Sequence, residues 1–470
     1  LIKNILIILI TSLICPFIAF SQSAIDTAWF GNIDISGAKI GIIVHFKTGN
    51  NITSGTIDIP DQNSKGLELK KVLFDNPKVH FEIESSLGQA IFEGLYYADS
   101  ISGLFSQSNI KGTFSLLKGE PEVNATVENL PYNAEEVTFT NDGITFAGTM
   151  TYPKTEGKHP AVVMITGSGP QNRDESLLGF KIFKVIADHL TKNGIAVLRY
   201  DDRGVGETKG KTVNESTTED FAGDVLAAAQ YLKTRDNINP LQIGLMGHSE
   251  GGIVAPLAAS KSSDIAFIVL MAGTAVKGID ILKEQTKLIM KADNSTEREI
   301  KGYQKMLDAV YDAIKSNTPL EVVRVQIRND IIENFDEIPE KQRKDIIDKE
   351  KYADEVAEQT IAEFNTTWMK FFLPYDPALA LTKVKCPALA LFGEKDLQVP
   401  PKQSEKPMID ALEKSGNKDY KVVIFPNANH LFQSANTGSP SEYGSLPKEF
   451  APGFLETVSG WILERVTVVK

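Results

Sequence analysis

Cysteine is nearly absent from this chain: among 470 residues there are two, Cys15 and Cys386. Cys15 lies in the leader read below, so Cys386 would remain alone and no intrachain disulfide could form. Stability then has to come from burial of a core, which a chain of this length can supply. Basic residues are short as well. Lys and Arg number 49 against 61 Asp and Glu, a net charge of −12. With no Lys/Arg cluster to meet phosphates, nucleic acid is excluded as a partner. Histidine occurs six times. His45 and His80 have no second histidine, cysteine or acidic cluster beside them, so neither reads as a metal ligand, and no metal or cofactor is expected.

Residues 1–21 pair one early lysine with an apolar stretch from Ile5 to Ile10 and end in Ala19-Phe20-Ser21. That is the pattern of a cleaved secretory leader. It predicts a periplasmic or secreted protein with no stable membrane span after cleavage. Residues 24–118 alternate in short runs (39–46, 53–59, 79–84, 89–96, 102–105, 112–117) broken by turn residues such as Asp75-Asn76-Pro77. The spacing predicts a small antiparallel all-β domain, a sandwich or a half-closed barrel. Residues 119–133, with Pro121 and Pro131, read as a linker.

From residue 134 to 470 strands alternate with helices, the pattern of an α/β fold with a doubly wound, mostly parallel sheet. A hairpin turning at Asn141-Asp142-Gly143 precedes apolar strands at 161–166, 195–200, 243–247, 266–271, 388–392 and 420–425. Between residues 278 and 372 the strand pattern stops. Charged, helical spacing takes over (Ile279, Leu282, Leu288, Ile289), which predicts a helical cap over the carboxyl ends of the strands. Trp368, Phe371, Phe372 and Tyr375 fit an acyl pocket or ordinary core packing equally well.

The rest of the chain is organised around Gly247-His248-Ser249-Glu250-Gly251, between an apolar strand and a small-residue helix. A strand that turns at once into a helix strains its turn residue and crowds its neighbours. Glycines flank it for that reason, and the serine hydroxyl is held in the open as a nucleophile. A serine needs a base near neutral pH, which means histidine. His45 and His80 belong to the other domain, His159 precedes a strand, His189 sits in a helix, and His248 adjoins the serine and is expected to point away. Only His430 follows a strand on the face where Ser249 emerges. The imidazolium needs a carboxylate, placed between serine and histidine in chain order. Asp396 fits, with Glu394 as the neighbouring alternative. Backbone N–H groups of Glu250 and Ser168 are the expected donors to an oxyanion.

Residues 166–175, 199–206, 247–252, 393–400 and 429–433 together resemble the α/β-hydrolase superfamily. The resemblance is closest to secreted bacterial serine esterases with an N-terminal β-domain, in the dienelactone-hydrolase and prolyl-oligopeptidase-like branches. Dienelactone hydrolases carry cysteine where this chain has Ser249, and Thr166 stands where a histidine is common. The Asp202–Arg203 motif is usually structural in such proteins. The resemblance implies hydrolysis of short-chain acyl esters through an acyl-enzyme on Ser249. The expected partner is a small-molecule ester, an acetylated sugar among the candidates. Monomer and dimer both stay open. A peptidase or acyl-aminoacyl hydrolase of the prolyl-oligopeptidase kind and a catalytically inactive binding protein are the alternatives.

Overall fold

A computed structural model of the protein describes residues 25–469 apart from 36–37, 50–51, 61–63, 85–88, 108–109, 120–129, 339–342 and 345. The expected leader and most of the expected linker lie outside the described residues. Among the described residues no helix is long and apolar enough to cross a membrane.

The first 90 or so described residues form one antiparallel sheet of nine strands: β1 (Ala28–Ile35), β2 (Ala38–Gly49), β3 (Ile52–Ile59), β4 (Ser64–Glu68), β5 (Lys71–Asp75), β6 (Lys78–Ile83), β7 (Ala90–Tyr97), β8 (Ser100–Gln107) and β9 (Ile110–Lys118). Their spatial order is β4-β3-β2-β1-β9-β8-β7-β6-β5. The two edge strands, β4 and β5, are consecutive in the chain, so the sheet has to roll until its edges meet. Leu69 and Lys70 bridge the seam: Leu69 N–H donates to the Gly55 carbonyl at 3.0 Å and Lys70 N–H to the Glu82 carbonyl at 2.8 Å. Alternate residues point inward. Trp29, Val44, Ile57, Phe81, Phe92 and Leu116 are fully buried, and Phe81 stacks on Phe92 with ring centroids 4.4 Å apart. Each such side chain contributes about 1.5–3 kcal/mol on burial. The sequence pattern anticipates six of these strands. It misses β1 and the two edge strands β4 and β5, the edges because their residues are exposed or only half-buried.

The second sheet has eight strands: β10 (Asn133–Asn141), β11 (Ile144–Tyr152), β12 (His159–Ile165), β15 (Ala196–Tyr200), β16 (Ile238–His248), β17 (Phe267–Met271), β18 (Ala388–Gly393) and β19 (Tyr420–Phe425), with β13 (Ser176–Leu177) and β14 (Phe180–Lys181) forming a separate small hairpin. The order is β10-β11-β15-β12-β16-β17-β18-β19. The first three strands pair antiparallel and the rest parallel. Asp142 and Gly143, both at positive φ, turn the β10–β11 hairpin, as an Asp-Gly pair allows. Strand β12 is entered first. The chain then steps outward to β15 and returns to β16 on the other side. The crevice at the carboxyl ends of β12 and β16 is therefore the topological switch point, where such sheets bind ligands.

Between β17 and β18 the chain leaves the sheet for helices Gly278–Ala292, Glu297–Lys315, Glu321–Glu333, Lys349–Phe364 and Thr367–Phe372. The second of these starts at a capping box in which Thr296 and Glu299 satisfy each other's backbone N–H groups. Leu178, in the β13–β14 turn, packs against the cores of both domains.

Candidate functional site

Four strand ends build the site. Strands β12 and β16 pair in parallel with Ile165 opposite Gly247, so the loop from Thr166 begins beside the turn that holds Ser249. The approach is tight: a Cβ added at Gly167 would lie 3.2 Å from the Ser249 Cβ. Ser249 has φ +53, the strained backbone that the flanking glycines make room for. A Cβ at Gly247 would fall 2.0 Å from the Gly251 carbonyl oxygen, and one at Gly251 would fall 2.2 Å from that of Ile165. These close approaches are the physical content of the Gly-x-Ser-x-Gly spacing.

The other two sequence-predicted side chains meet at the ends of β18 and β19. His430 Nδ1 lies 2.8 Å from Asp396 Oδ2, and both side chains are buried. Asp396 Oδ1 accepts the N–H groups of Gln398 and Val399 at 2.7 and 2.8 Å, which fixes the carboxylate in its loop. Glu394, the alternative, instead accepts the Asn427 N–H at 2.8 Å. It ties the two loops together without reaching the imidazole. Among the described residues, no hydrogen bond joins the Ser249 hydroxyl to His430, and the N–H groups of Ser168 and Glu250 have no acceptor.

The loop after β12 is held residue by residue against the end of β15. Gln171 N–H donates to Asp202 Oδ2 at 2.9 Å. Asn172 Oδ1 accepts the N–H groups of Asp174 and Ser176. Arg173 grips Asp201 through Nε and Nη2 at 3.1 and 2.6 Å, and Asp174 pairs with Arg199. Burial, aided by neighbouring Arg173, lowers the Arg199 guanidinium to about 10. Asp202 also accepts the Thr166 hydroxyl at 2.6 Å. Burial nevertheless drives the Asp202 carboxyl well above the usual range, with the two donors opposing the shift. Arg203 makes a buried two-pronged pair with Asp224.

Four side chains to which the sequence reading gave no catalytic part, those of Glu175, His248, Glu250 and Trp368, are central here. His248 does not simply turn aside. Its ring, 3% exposed, sits 4.7 Å centroid to centroid from that of His430. Its Nε2 lies 2.9 Å from the His430 carbonyl oxygen and its Nδ1 2.9 Å from Glu175 Oε1. Glu175, in turn, accepts the Gly167 N–H at 2.8 Å, so that amide is not free for an oxyanion. The Glu250 side chain is buried and accepts from the Thr218 hydroxyl at 2.8 Å and from the Trp368 indole of the helical insertion. Burial raises the Glu250 carboxyl, against the pull of the Trp368, Thr218 and Ser168 donors. Trp368 stacks on Phe372, and its bond brings the insertion onto the strand ends, as a cap requires. No spacing rule links residues 175, 248, 250 and 368; only their common position at adjacent strand ends does. Among the described residues no group of three or more His, Cys, Asp or Glu side chains is placed to hold a metal ion.

The sequence profile of the family described as serine aminopeptidase, S33, matches residues 180–434, more than half of the chain. Esterase EstD of Thermotoga maritima is 27% identical over 321 residues, covering 67% of this chain and 64% of that one. Putative hydrolase YtaP of Bacillus subtilis is 32% identical over 131 residues, 25% of this chain and 44% of that one. The chain thus spans less than two thirds of the length of these relatives. Among solved structures, an esterase of Pyrococcus furiosus is 16% identical, with a TM-score of 0.45 and coverage of 73% of this chain and 94% of that one.

Proposed function

The chain belongs to the S33 serine aminopeptidase family of α/β-hydrolases, and within it we propose that this protein hydrolyses short-chain carboxylic esters through Ser249, His430 and Asp396. The observation that carries the proposal is the buried 2.8 Å contact of Asp396 with His430, on strand-end loops of the sheet whose switch point holds Ser249 at positive φ. Asp396 fixes the tautomer that leaves Nε2 of His430 free to accept a proton. The Ser249 hydroxyl attacks the acyl carbon while the imidazole takes its proton. The oxyanion meets the N–H groups of Ser168 and Glu250. The alkoxide leaves with the proton returned from the imidazolium, and water, activated by the same histidine, cleaves the acyl-enzyme. The Ser249–His430 contact needed for the first step forms as substrate binds, since such bonds are often long or unformed without it.

The printed names of the Thermotoga and Bacillus relatives, an esterase and a putative hydrolase, support ester hydrolysis. The family description favours a second reading, removal of an amino-terminal residue from peptides. Turnover of p-nitrophenyl acetate against an aminoacyl-anilide, with Ser249→Ala as control, separates the two, and an acyl-chain series extended to acetylated sugars ranks the substrates. Turnover of neither class would favour a binding protein. A periplasmic or secreted location is proposed on the pattern of residues 1–21, and amino-terminal sequencing of the mature protein tests it.

A further inference from the structure

Glu175 and His248 carry no chemical step of the reaction just described, yet together they link the oxyanion loop, the serine turn and the His430 loop. Glu175 Oε1 accepts the Gly167 N–H, one residue before the proposed oxyanion donor Ser168. His248 precedes Ser249 in the turn. Its Nε2 faces the carbonyl oxygen of His430. A carbonyl can only accept, so Nε2 carries a proton. The other ring nitrogen, Nδ1, faces Glu175 Oε1 at 2.9 Å. A neutral imidazole with its proton on Nε2 would set a lone pair against a carboxylate oxygen. The contact is attractive only if Nδ1 is protonated too, or if the carboxyl is.

Both side chains are buried, at 4% and 5% exposure, and Glu175 Oε2 has no hydrogen-bond partner among the described residues. A buried carboxylate with one bare oxygen is costly unless a cation compensates it. A His248 protonated on both ring nitrogens would be that cation.

We infer that Glu175 and His248 form a buried ion pair that acts as a positioning device, locking the oxyanion loop, the serine turn and the His430 loop to one another. The inference rests on the ester-hydrolase reading above. The pair spans the reacting centre without touching substrate: one end fixes Gly167, the other the backbone of the general base. The titratable groups facing the His248 and His430 rings are Glu175 from the oxyanion loop, Asp396 from the loop after β18, and each ring for the other.

The test uses Glu175→Gln and His248→Gln in the full-length protein, each concentration corrected by titrating reactive Ser249 with a fluorophosphonate. Loss of fold then lowers the titrated fraction and not the rate per site. The inference predicts kcat per titrated site down about 10- to 100-fold, the cost of a misplacement near 1 Å, with KM within about threefold. Rates per site within twofold of the parent in both variants would overturn it. A second measurement is independent of turnover. In histidine-labelled protein at pH 7–8, nitrogen NMR should show His248 protonated on both ring nitrogens, and on one only in Glu175→Gln. A neutral His248 in the parent protein overturns the ion pair. If instead the parent protein neither reacts with the fluorophosphonate nor hydrolyses esters, it is the ester-hydrolase reading that fails, and the NMR result still decides the ion pair.

Discussion

The indole N–H of Trp368 lies 2.9 and 3.0 Å from the two carboxylate oxygens of Glu250, the residue that follows Ser249. One hydrogen-bonded pair thus joins the helical insertion to the turn that carries the proposed nucleophile. Trp368→Phe keeps the ring and removes the donor, leaving a buried carboxyl short of a partner. The expected cost is about 1–3 kcal/mol, read as a lower urea midpoint with an unchanged slope. KM for esters should rise more than kcat falls, because the cap is loosened while the reacting groups stay in place.

Glu250 also gives a pH dependence with a definite sign. Burial raises its carboxyl in the folded protein, so the folded state holds a proton that the unfolded state has already released. Stability from this group therefore falls as pH rises from the ordinary glutamate range up to the raised folded value. Glu250→Gln removes the titration while its amide oxygen still accepts from Trp368 and Thr218. Thermal melts at pH 5 and pH 8 should differ less in the variant than in the parent. An equal or larger difference would contradict the assignment.

Gly251 tests the turn itself. An added methyl would lie 2.2 Å from the Ile165 carbonyl oxygen and 2.7 Å from that of Thr166. Both belong to the backbone at the end of β12 and cannot swing aside. Gly251→Ala should cost about 1–3 kcal/mol, as overpacking does. It should also lower ester turnover at least 100-fold by separating the serine from the oxyanion loop. Urea unfolding and steady-state kinetics on the same preparation check both.

What the sequence discloses and what it withholds follow from reach along the chain. Ser249 is legible because its strain is local: glycines two residues away on each side mark it. His430 and Asp396 emerge by elimination, since six histidines leave one in a strand-end loop and chain order points to the acid. The sheet is legible because its buried parallel strands are continuous apolar runs, as at Phe267–Met271. Glu175, His248 and Trp368 are not legible. Each acts on a partner more than 70 residues away through a buried or half-buried polar contact, and a lone Glu, His or Trp has no periodicity to announce it. The edge strands Ser64–Glu68 and Lys71–Asp75 are hidden for a different reason: they are largely solvent-facing, so burial imprints little alternation on them.

Asp396→Asn separates orientation from fold. The asparagine oxygen can still accept from Gln398 and Val399, so stability should change by less than about 1 kcal/mol. The tautomer of His430 is no longer held, and kcat should fall by about 10⁴-fold, as in other serine triads stripped of their carboxylate charge. A variant that keeps a tenth of the parent's kcat would remove Asp396 from the mechanism.

The most direct test of the central claim is stoichiometric labelling with a fluorophosphonate, followed by peptide mapping. The account predicts one label per chain, on Ser249, absent from Ser249→Ala and slowed by several orders of magnitude in His430→Ala. A label on another residue, or none on a protein that still hydrolyses esters, would contradict it.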